Sequence, residues 1–109
     1  MKIPLILAIA TIAFCAPRSG AEEAQANWTK HCLACHGADG RGQTKAGRMA
    51  GAKDQTDAKY QAGLKDEKMF ASVKEGLKED NKEKMKPFKE KLSDDEIMAL
   101  VAFVRALKK

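Results

Sequence analysis

The segment Cys32-Leu33-Ala34-Cys35-His36 places two cysteines three residues apart and a histidine directly after the second. It closes a stretch, residues 22–36, that contains neither proline nor glycine and begins with Glu22 and Glu23. Acidic side chains in a first turn stabilise a helix, so we predict a helix over 22–36. On such a helix both thiols and the imidazole project from neighbouring positions.

This arrangement indicates covalent haem attachment, because each thiol can form a thioether with one vinyl group on the same porphyrin edge. His36 would then bind the iron from one side. A zinc site would need four ligands, and the fourth candidate, His31, points away on a regular helix. A thioredoxin-like dithiol would need strands in a βαβ pattern, which the sequence lacks. Haem c with its iron is therefore the favoured cofactor, at Cys32, Cys35 and His36.

The N-terminus has the features of an export signal. Lys2 precedes an apolar run over residues 3–16, which is shorter than the ~20 residues of a spanning helix. Ser19 and Ala21 provide small residues for a signal peptidase. We predict a signal peptide over 1–21, cleaved after Ala21, and a soluble periplasmic protein.

Lipid attachment is the alternative fate of this segment. It would use Cys15, but Phe14 before it is larger than the residue usual at that cleavage position.

The C-x-x-C-H motif could also be a coincidence without chemical function. Export argues against this, because free thiols are a liability outside the cytosol.

The predicted mature domain, 22–109, has 88 residues and needs additional stabilisation. It loses two of the 20 basic and none of the 15 acidic side chains, so its net charge is +3 instead of +5. Small exported domains usually need a staple, and a Cys32–Cys35 disulfide would close too short a loop to organise the fold. A bound haem would supply the core. Export and mild basicity disfavour nucleic-acid binding.

The remaining sequence predicts an all-α domain. Five glycines between Gly37 and Gly51 predict a loop without regular structure. Thr56 and Asp57 predict the start of a short helix. A longer helix is predicted from Asp66, with one apolar face that consists of Met69, Phe70, Val73 and Leu77. Ser93 and Glu96 form a capping box before a last helix, and no segment predicts a strand.

The second axial position of the iron decides its chemistry. The candidates are Met49, Met69, Met85 and Met98, or a vacancy. Met69 and Met98 lie within amphipathic helices, and Met49 follows His36 too closely to reach the opposite haem face easily. Met85 lies outside any such repeat, before Pro87 and Phe88, and is the predicted ligand.

These residues resemble the class I c-type cytochromes over essentially the whole predicted mature chain. Trp28 and Ala24 are similar to the aromatic and small residues of the family's first helix, and Leu100 and Phe103 to those of its last helix. The segment 84–88 resembles the family's methionine ligand loop. The resemblance implies three to five helices around one haem, with the N- and C-terminal helices crossing.

One position departs from that pattern. The family commonly has a proline whose carbonyl accepts a hydrogen bond from the proximal histidine, and Arg48 occupies its place within residues 44–48. Any residue supplies a carbonyl, but the rigidity that proline gives this loop is expected to be lost.

The predicted function is single-electron transfer between redox partner proteins, with His36 and Met85 as axial ligands and no enzymatic activity. The alternative is a gas sensor or peroxidase-like haem protein in which the sixth ligand is labile. The protein is expected to be a monomer, and its expected partners are respiratory complexes, oxidases or dehydrogenases. Five lysines lie around Met85 in the sequence: Lys82, Lys84, Lys86, Lys89 and Lys91. They predict that acidic surfaces of partner proteins are steered to this side. The alternative is that acids interleaved with these lysines leave only a solvated loop.

Overall fold

The computed structural model describes residues 20–109 continuously, together with Lys2, Pro4, Ile9 and Thr11. The predicted signal peptide lies almost entirely outside the described residues, and so does Cys15. In the described part of the chain, no helix is long and apolar enough to cross a membrane.

The described chain forms five helical segments and one short β-hairpin, which confirms the predicted all-α architecture. The first segment is continuous and consists of α1 (Gly20–Asn27), a π-helical turn (Trp28–Cys32) and α2 (Leu33–His36). The other elements are α3 (Lys45–Ala50), α4 (Ala58–Ala62), α5 (Asp66–Glu75), β1 (Leu77–Glu79), β2 (Lys82–Met85) and α6 (Asp94–Ala106).

The predicted helix over 22–36 is present, but it is not regular. It begins at Gly20, and Trp28–Cys32 forms a π-helical turn in which the amide of Leu33 donates to the carbonyl of Trp28. A π turn adds one residue per turn, so the positions after it are rotated relative to those of an ideal helix. The C-x-x-C-H motif lies directly at this change of pitch.

The predicted loop over 37–51 is wrong in part, because it contains α3. Thr44 caps this helix by accepting a hydrogen bond from the amide of Gly47 at 2.9 Å, and Gly51 ends it with a left-handed backbone, φ +75°. Glycine adopts that conformation without strain. Two local capping interactions therefore outweigh the low helix propensity of a glycine-rich segment.

The β-hairpin was not predicted. Its strands are antiparallel, and Asp80 and Asn81 form the turn with φ of +50° and +62°. Such paired positive φ angles suit the right-handed twist of a tight hairpin. The strands are mostly solvent-exposed, so they lack the alternation that identifies half-buried strands.

The core lies where α1 and the π turn cross α6, as the resemblance implies. Ala24 is 1% exposed and Trp28 2%, and on α6 Leu100 is 2% exposed. The ring of Trp28 lies 5.1 Å from that of Phe103 between centroids. The small side chain of Ala24 allows the two helices to approach closely.

The predicted capping box starts α6. The amide of Glu96 donates to the Ser93 hydroxyl at 3.1 Å, and the amide of Ser93 donates to the Glu96 carboxylate at 3.0 Å. The second carboxylate oxygen of Glu96 accepts from the side chain of Asn27 at 3.2 Å. One side chain thus joins the start of α6 to the end of α1.

Leu77, which was predicted to share the apolar face of α5, lies outside that helix. The helix stops at Glu75 because Gly76 has φ +79°, and Leu77 begins β1 instead of extending the helical face. After the hairpin, the amide of Phe88 donates to the carbonyl of Val73 at 3.0 Å. The chain that follows Met85 is thereby fastened to the last turn of α5.

Candidate functional site

Two adjoining cavities lie between the first helical segment, α4, α5 and the hairpin. We call one of them the inner cavity, because its lining includes buried side chains of α5 and α6, namely Met69, Leu100 and Val101. The other, the outer cavity, has more exposed side chains in its lining, among them Glu79, Glu83 and Lys86. Six side chains line both: Cys32, His36, Gln55, Tyr60, Leu77 and Met85.

The two thiols occupy different depths of this cleft. Cys32 is buried and lines both cavities, whereas Cys35 is half-buried and lines the outer one. Burial, with the charge of Cys35 as a second cause, raises the pKa of Cys32 to about 11. Redox-active and metal-binding cysteines have lowered pKa values, so this environment does not support a thioredoxin-like dithiol.

The imidazole of His36 faces the same cleft. Burial lowers its pKa, which favours the neutral form that binds a metal. Its Nδ1 is buried and has no hydrogen-bond partner within the described residues. The hydrogen bond that the family pattern would give, from the histidine to the backbone carbonyl at position 48, is therefore not formed in this structure. The buried imidazole, the apolar walls and the two thiols still fit the haem that the sequence predicts.

A zinc site does not fit the arrangement. Among the residues that the structure describes, no three His, Cys, Asp or Glu side chains are grouped to hold a metal ion. His31 is half-buried, and its ring lies edge-on to Phe88 at 5.6 Å. It lines the outer cavity and does not line the inner one.

The four candidate methionines differ in their placement. Met49 is 76% exposed and Met98 is 49% exposed, and neither lines the inner or the outer cavity. Met69 is buried and lines the inner cavity. Met85 is half-buried at the end of β2 and lines both cavities, as His36 does.

The position of Arg48 is explained by α3. Its amide donates to the carbonyl of Thr44 at 2.9 Å, a helical hydrogen bond that proline could not make. The Thr44 hydroxyl lies 2.8 Å from the carbonyl oxygen of Ala34 and 3.1 Å from that of Cys35, and donates to them. A helix and its cap therefore provide the rigidity that the loop was expected to lose.

Gly47 allows α3 to contact the turn that carries the C-x-x-C-H motif. A Cβ atom at this position would overlap the carbonyl oxygen of Cys35. The backbone of α3 is consequently held against α2 at the residue that carries the second thiol.

The lysines around Met85 are not arranged as one continuous cationic ring. Lys84 and Lys86 line the outer cavity, but Glu79 and Glu83 of the hairpin line it too. Lys89 forms an ion pair with Glu75 at 3.2 Å. The acids therefore balance much of the positive charge on this side of the cleft.

Sequence reasoning missed two polar residues of the cleft, Gln55 and Tyr60. Burial raises the pKa of Tyr60, so its hydroxyl remains protonated and can donate a hydrogen bond. Gln55 has a buried side-chain oxygen without a partner in the described residues. Gln55 precedes α4 and Tyr60 lies within it, and this short helix has no distinctive sequence pattern. The only signal in the sequence was that Tyr60 is the single tyrosine of the chain.

The helices, the C-x-x-C-H turn and the apolar cleft together define a small c-type cytochrome. The family described as "Cytochrome C oxidase, cbb3-type, subunit III" matches residues 19–104. The chain belongs to this family and is a class I c-type cytochrome, which carries covalently bound haem c with its iron.

Solved structures agree with this assignment. The "KustC0563 c-type cytochrome" is 41% identical, with a TM-score of 0.72 over 79% of this chain and 98% of that one. A point mutant of it is 40% identical over 79% of this chain and 99% of its own, with a TM-score of 0.70.

A more distant structure shares the fold. Cytochrome CL from the marine methylotrophic bacterium Methylophaga aminisulfidivorans MPT is 21% identical, with a TM-score of 0.61 over 82% of this chain and 53% of that one. No curated protein sequence matches significantly.

Proposed function

We propose that this cytochrome is an electron carrier that passes single electrons between redox proteins of the periplasm. Cys32 and Cys35 would bind the haem covalently, and His36 and Met85 would be the axial ligands of the iron. The haem supplies the one-electron redox couple. The observation that carries the proposal is that Met85 and His36 line the same two cavities, inner and outer.

The chain contributes binding, orientation and exclusion of water. Trp28 supports the turn after His36 by donating from its indole to the carbonyl of Gly37 at 3.1 Å. The apolar walls of the inner cavity hold a low dielectric around the redox centre, and a thioether ligand favours the ferrous state. Both effects support a positive reduction potential.

Met85 is held in place from both sides. Gly76 approaches the chain so closely that a Cβ there would lie 2.6 Å from the carbonyl of Met85 and 2.9 Å from the nitrogen of Pro87. The hydrogen bond from Phe88 to Val73 fixes the chain beyond it. A ligand held at both ends supports a closed coordination sphere and argues for electron transfer instead of gas binding or catalysis.

Export with a signal cleaved after Ala21 is part of the proposal, supported by the apolar run behind Lys2. We also propose that the protein is a monomer and that its partners are respiratory complexes, oxidases or dehydrogenases with acidic docking surfaces. An intact mass equal to residues 22–109 plus one haem would support cleavage and attachment together.

The test is an absorption spectrum of the purified oxidised and reduced protein. We expect low-spin reduced peaks and the weak charge-transfer band at the red end that iron–methionine bonding produces. Met85→His should abolish the band and lower the midpoint potential, since axial ligands help to spread haem potentials over about 0.8 V. The matched control, Met69→Leu, should retain both. A band lost in Met69→Leu and kept in Met85→His would overturn the assignment.

A further inference from the structure

Three buried side-chain atoms of the described residues have no hydrogen-bond partner: Nδ1 of His36, Oε1 of Gln55 and Oε1 of Gln61. Because Nδ1 of His36 is enclosed by protein atoms, Nε2 is the nitrogen available to bind the iron. A neutral imidazole that binds a metal through Nε2 carries its proton on Nδ1, and this N–H is a donor. The two amide oxygens are acceptors. One buried donor and two buried acceptors are therefore left to be matched.

Only one of the two acceptors lies in the cleft with the histidine. Gln55 lines both the inner and the outer cavity, as His36 does, whereas Gln61 lines neither. The side-chain nitrogen of Gln61 donates to the carbonyls of Gln55 and Val104, at 2.5 Å and 2.8 Å, and these two bonds fix the orientation of its amide group. Gln55 is thus the acceptor that can serve His36.

The backbone holds Gln55 firmly in the wall of the cleft. Its amide donates to the carbonyl of Gly40 at 2.9 Å, and its carbonyl accepts from the side chain of Gln61 at 2.5 Å. Gln61 is itself 2% exposed and is anchored to α6 through Val104. The last torsion of a glutamine side chain, by contrast, has broad and shallow minima. The amide group of Gln55 can therefore turn about a fixed point.

The backbone of α3 does not supply the acceptor. The carbonyl of Arg48 accepts from the amide of Gly51 at 3.3 Å, and that of Gly47 accepts from the amide of Ala52 at 2.8 Å. These bonds direct the carbonyls along the helix instead of towards the imidazole. Histidines that bind a metal almost always donate their second N–H to a carboxylate, a carbonyl or water. A side-chain carbonyl within the same cleft meets this requirement.

We propose that Gln55 is the positioning residue of the axial histidine, because its side-chain oxygen accepts the Nδ1 proton of His36 when Nε2 binds the iron. This inference rests on the proposed role of His36 as an axial ligand. A hydrogen bond from Nδ1 fixes the rotation of the ring and makes the imidazole a stronger electron donor. Gln55 therefore lowers the reduction potential relative to an apolar residue at the same position.

The test follows the Nδ1 proton of His36 by NMR in the ferrous, haem-loaded protein labelled with ¹⁵N. Gln55→Leu removes the acceptor and keeps a side chain of similar size. Its Nδ1 proton signal should move upfield and exchange with solvent ~3- to 10-fold faster, as the loss of one hydrogen bond predicts. The midpoint potential of this variant should rise.

Two further variants distinguish an acceptor from a general effect of polarity. Gln55→Glu keeps an acceptor oxygen and should retain the downfield proton signal and its slow exchange. Tyr60→Phe is the matched control, because Tyr60 lines the same two cavities and loses only its hydroxyl group. It should leave the signal and the exchange rate as they are in the wild type.

The wild type provides a direct measurement that does not depend on how well the variants fold. A scalar coupling across the hydrogen bond should join Nδ1 of His36 to the side-chain carbonyl carbon of Gln55. A coupling to a backbone carbonyl instead would overturn the proposal. An unchanged proton signal in Gln55→Leu, or equal shifts in Gln55→Leu and Tyr60→Phe, would overturn it as well.

The absorption spectrum separates this proposal from the function on which it rests. If the wild type lacks the low-spin peaks and the iron–methionine band, the proposed axial ligation fails and the role of Gln55 fails with it. If the wild-type spectrum is as expected and Gln55→Leu changes neither the Nδ1 proton nor the midpoint potential, only the role of Gln55 is overturned.

Discussion

The indole of Trp28 donates a hydrogen bond to the carbonyl of Gly37, with 3.1 Å between Nε1 and the oxygen. The bond joins the π turn to the residue directly after His36. The same indole lies 5.5 Å from the ring of His36 and 5.1 Å from that of Phe103, between centroids. One side chain therefore links the orientation of the imidazole to the crossing of α1 with α6.

Trp28→Phe is expected to lower the free energy of unfolding by about 1 kcal/mol or more, because it removes the indole hydrogen bond to the carbonyl of Gly37, which keeps only the longer bond from the amide of Gly40 at 3.3 Å. Guanidinium unfolding of the oxidised protein measures the loss. Phe103→Leu removes the ring contact but keeps the hydrogen bond, so its loss should be smaller. Equal losses would show that packing, and not the hydrogen bond, stabilises this turn.

Gly47→Ala should disturb the turn that carries the C-x-x-C-H motif. The new methyl group would meet the carbonyl of Cys35 and lie 2.6 Å from that of Gly42, and overpacking of this kind typically costs about 1–3 kcal/mol. We expect a lower yield of haem-loaded protein and a lower unfolding midpoint. Gly63→Ala is the control, since its nearest atom is 3.6 Å away. Comparable damage in both variants would contradict the close approach of α3.

The elements that the sequence predicted best are those whose signals are local. The capping box of Ser93 and Glu96 and the cap at Asp57 both start helices as expected. Helix α3 and the hairpin escaped prediction because glycines at 47 and 51 and exposed charged strands produce no hydrophobic periodicity. Their geometry depends on positive φ angles and on contacts with distant segments, which a single sequence does not display.

The site was predictable in its reactive groups and not in its surroundings. The spacing of Cys32, Cys35 and His36 carries its own chemistry, and the position of Met85 outside an amphipathic repeat singled it out. Which ligands bind the iron remains a prediction that spectroscopy tests. Gln55 and Tyr60 join the cleft only through tertiary packing. Whether the lysines around Met85 steer a partner stays a prediction, because Glu79 and Glu83 line the outer cavity beside Lys84 and Lys86.

Glu96 is expected to make folding stability depend on acid pH. Hydrogen bonds from the backbone of Ser93, then from the side chains of Asn27 and Ser93, hold its pKa below the ordinary value. A carboxyl with a lowered folded pKa stabilises the protein above its unfolded pKa of about 4.3, and this stability is lost as pH falls through the folded pKa. Glu96→Gln should therefore be less stable than wild type at neutral pH, and the difference should shrink in acid.

A double-mutant cycle with Asn27 separates the two roles of Glu96. Asn27→Ala removes the link to α1 but leaves the capping box. The loss of unfolding free energy in the double variant should therefore be smaller than the sum of the losses in Asn27→Ala and Glu96→Gln. Urea unfolding at neutral pH and again in acid measures both variants and their combination. Strict additivity would show that the hydrogen bond of 3.2 Å between them contributes nothing to the crossing.

Removal of both thiols should prevent stable folding. In Cys32→Ser/Cys35→Ser the proposed thioether attachment would be lost, so the apolar walls that line the two cavities would face water, and only the core between α1 and α6 would remain in a small domain. We expect a chain with little helix by circular dichroism and no cooperative thermal transition. Cys35→Ser alone keeps the buried thiol of Cys32 for a single thioether and should still fold with haem. A helical, cooperatively unfolding double variant would show that the polypeptide forms its core without the cofactor.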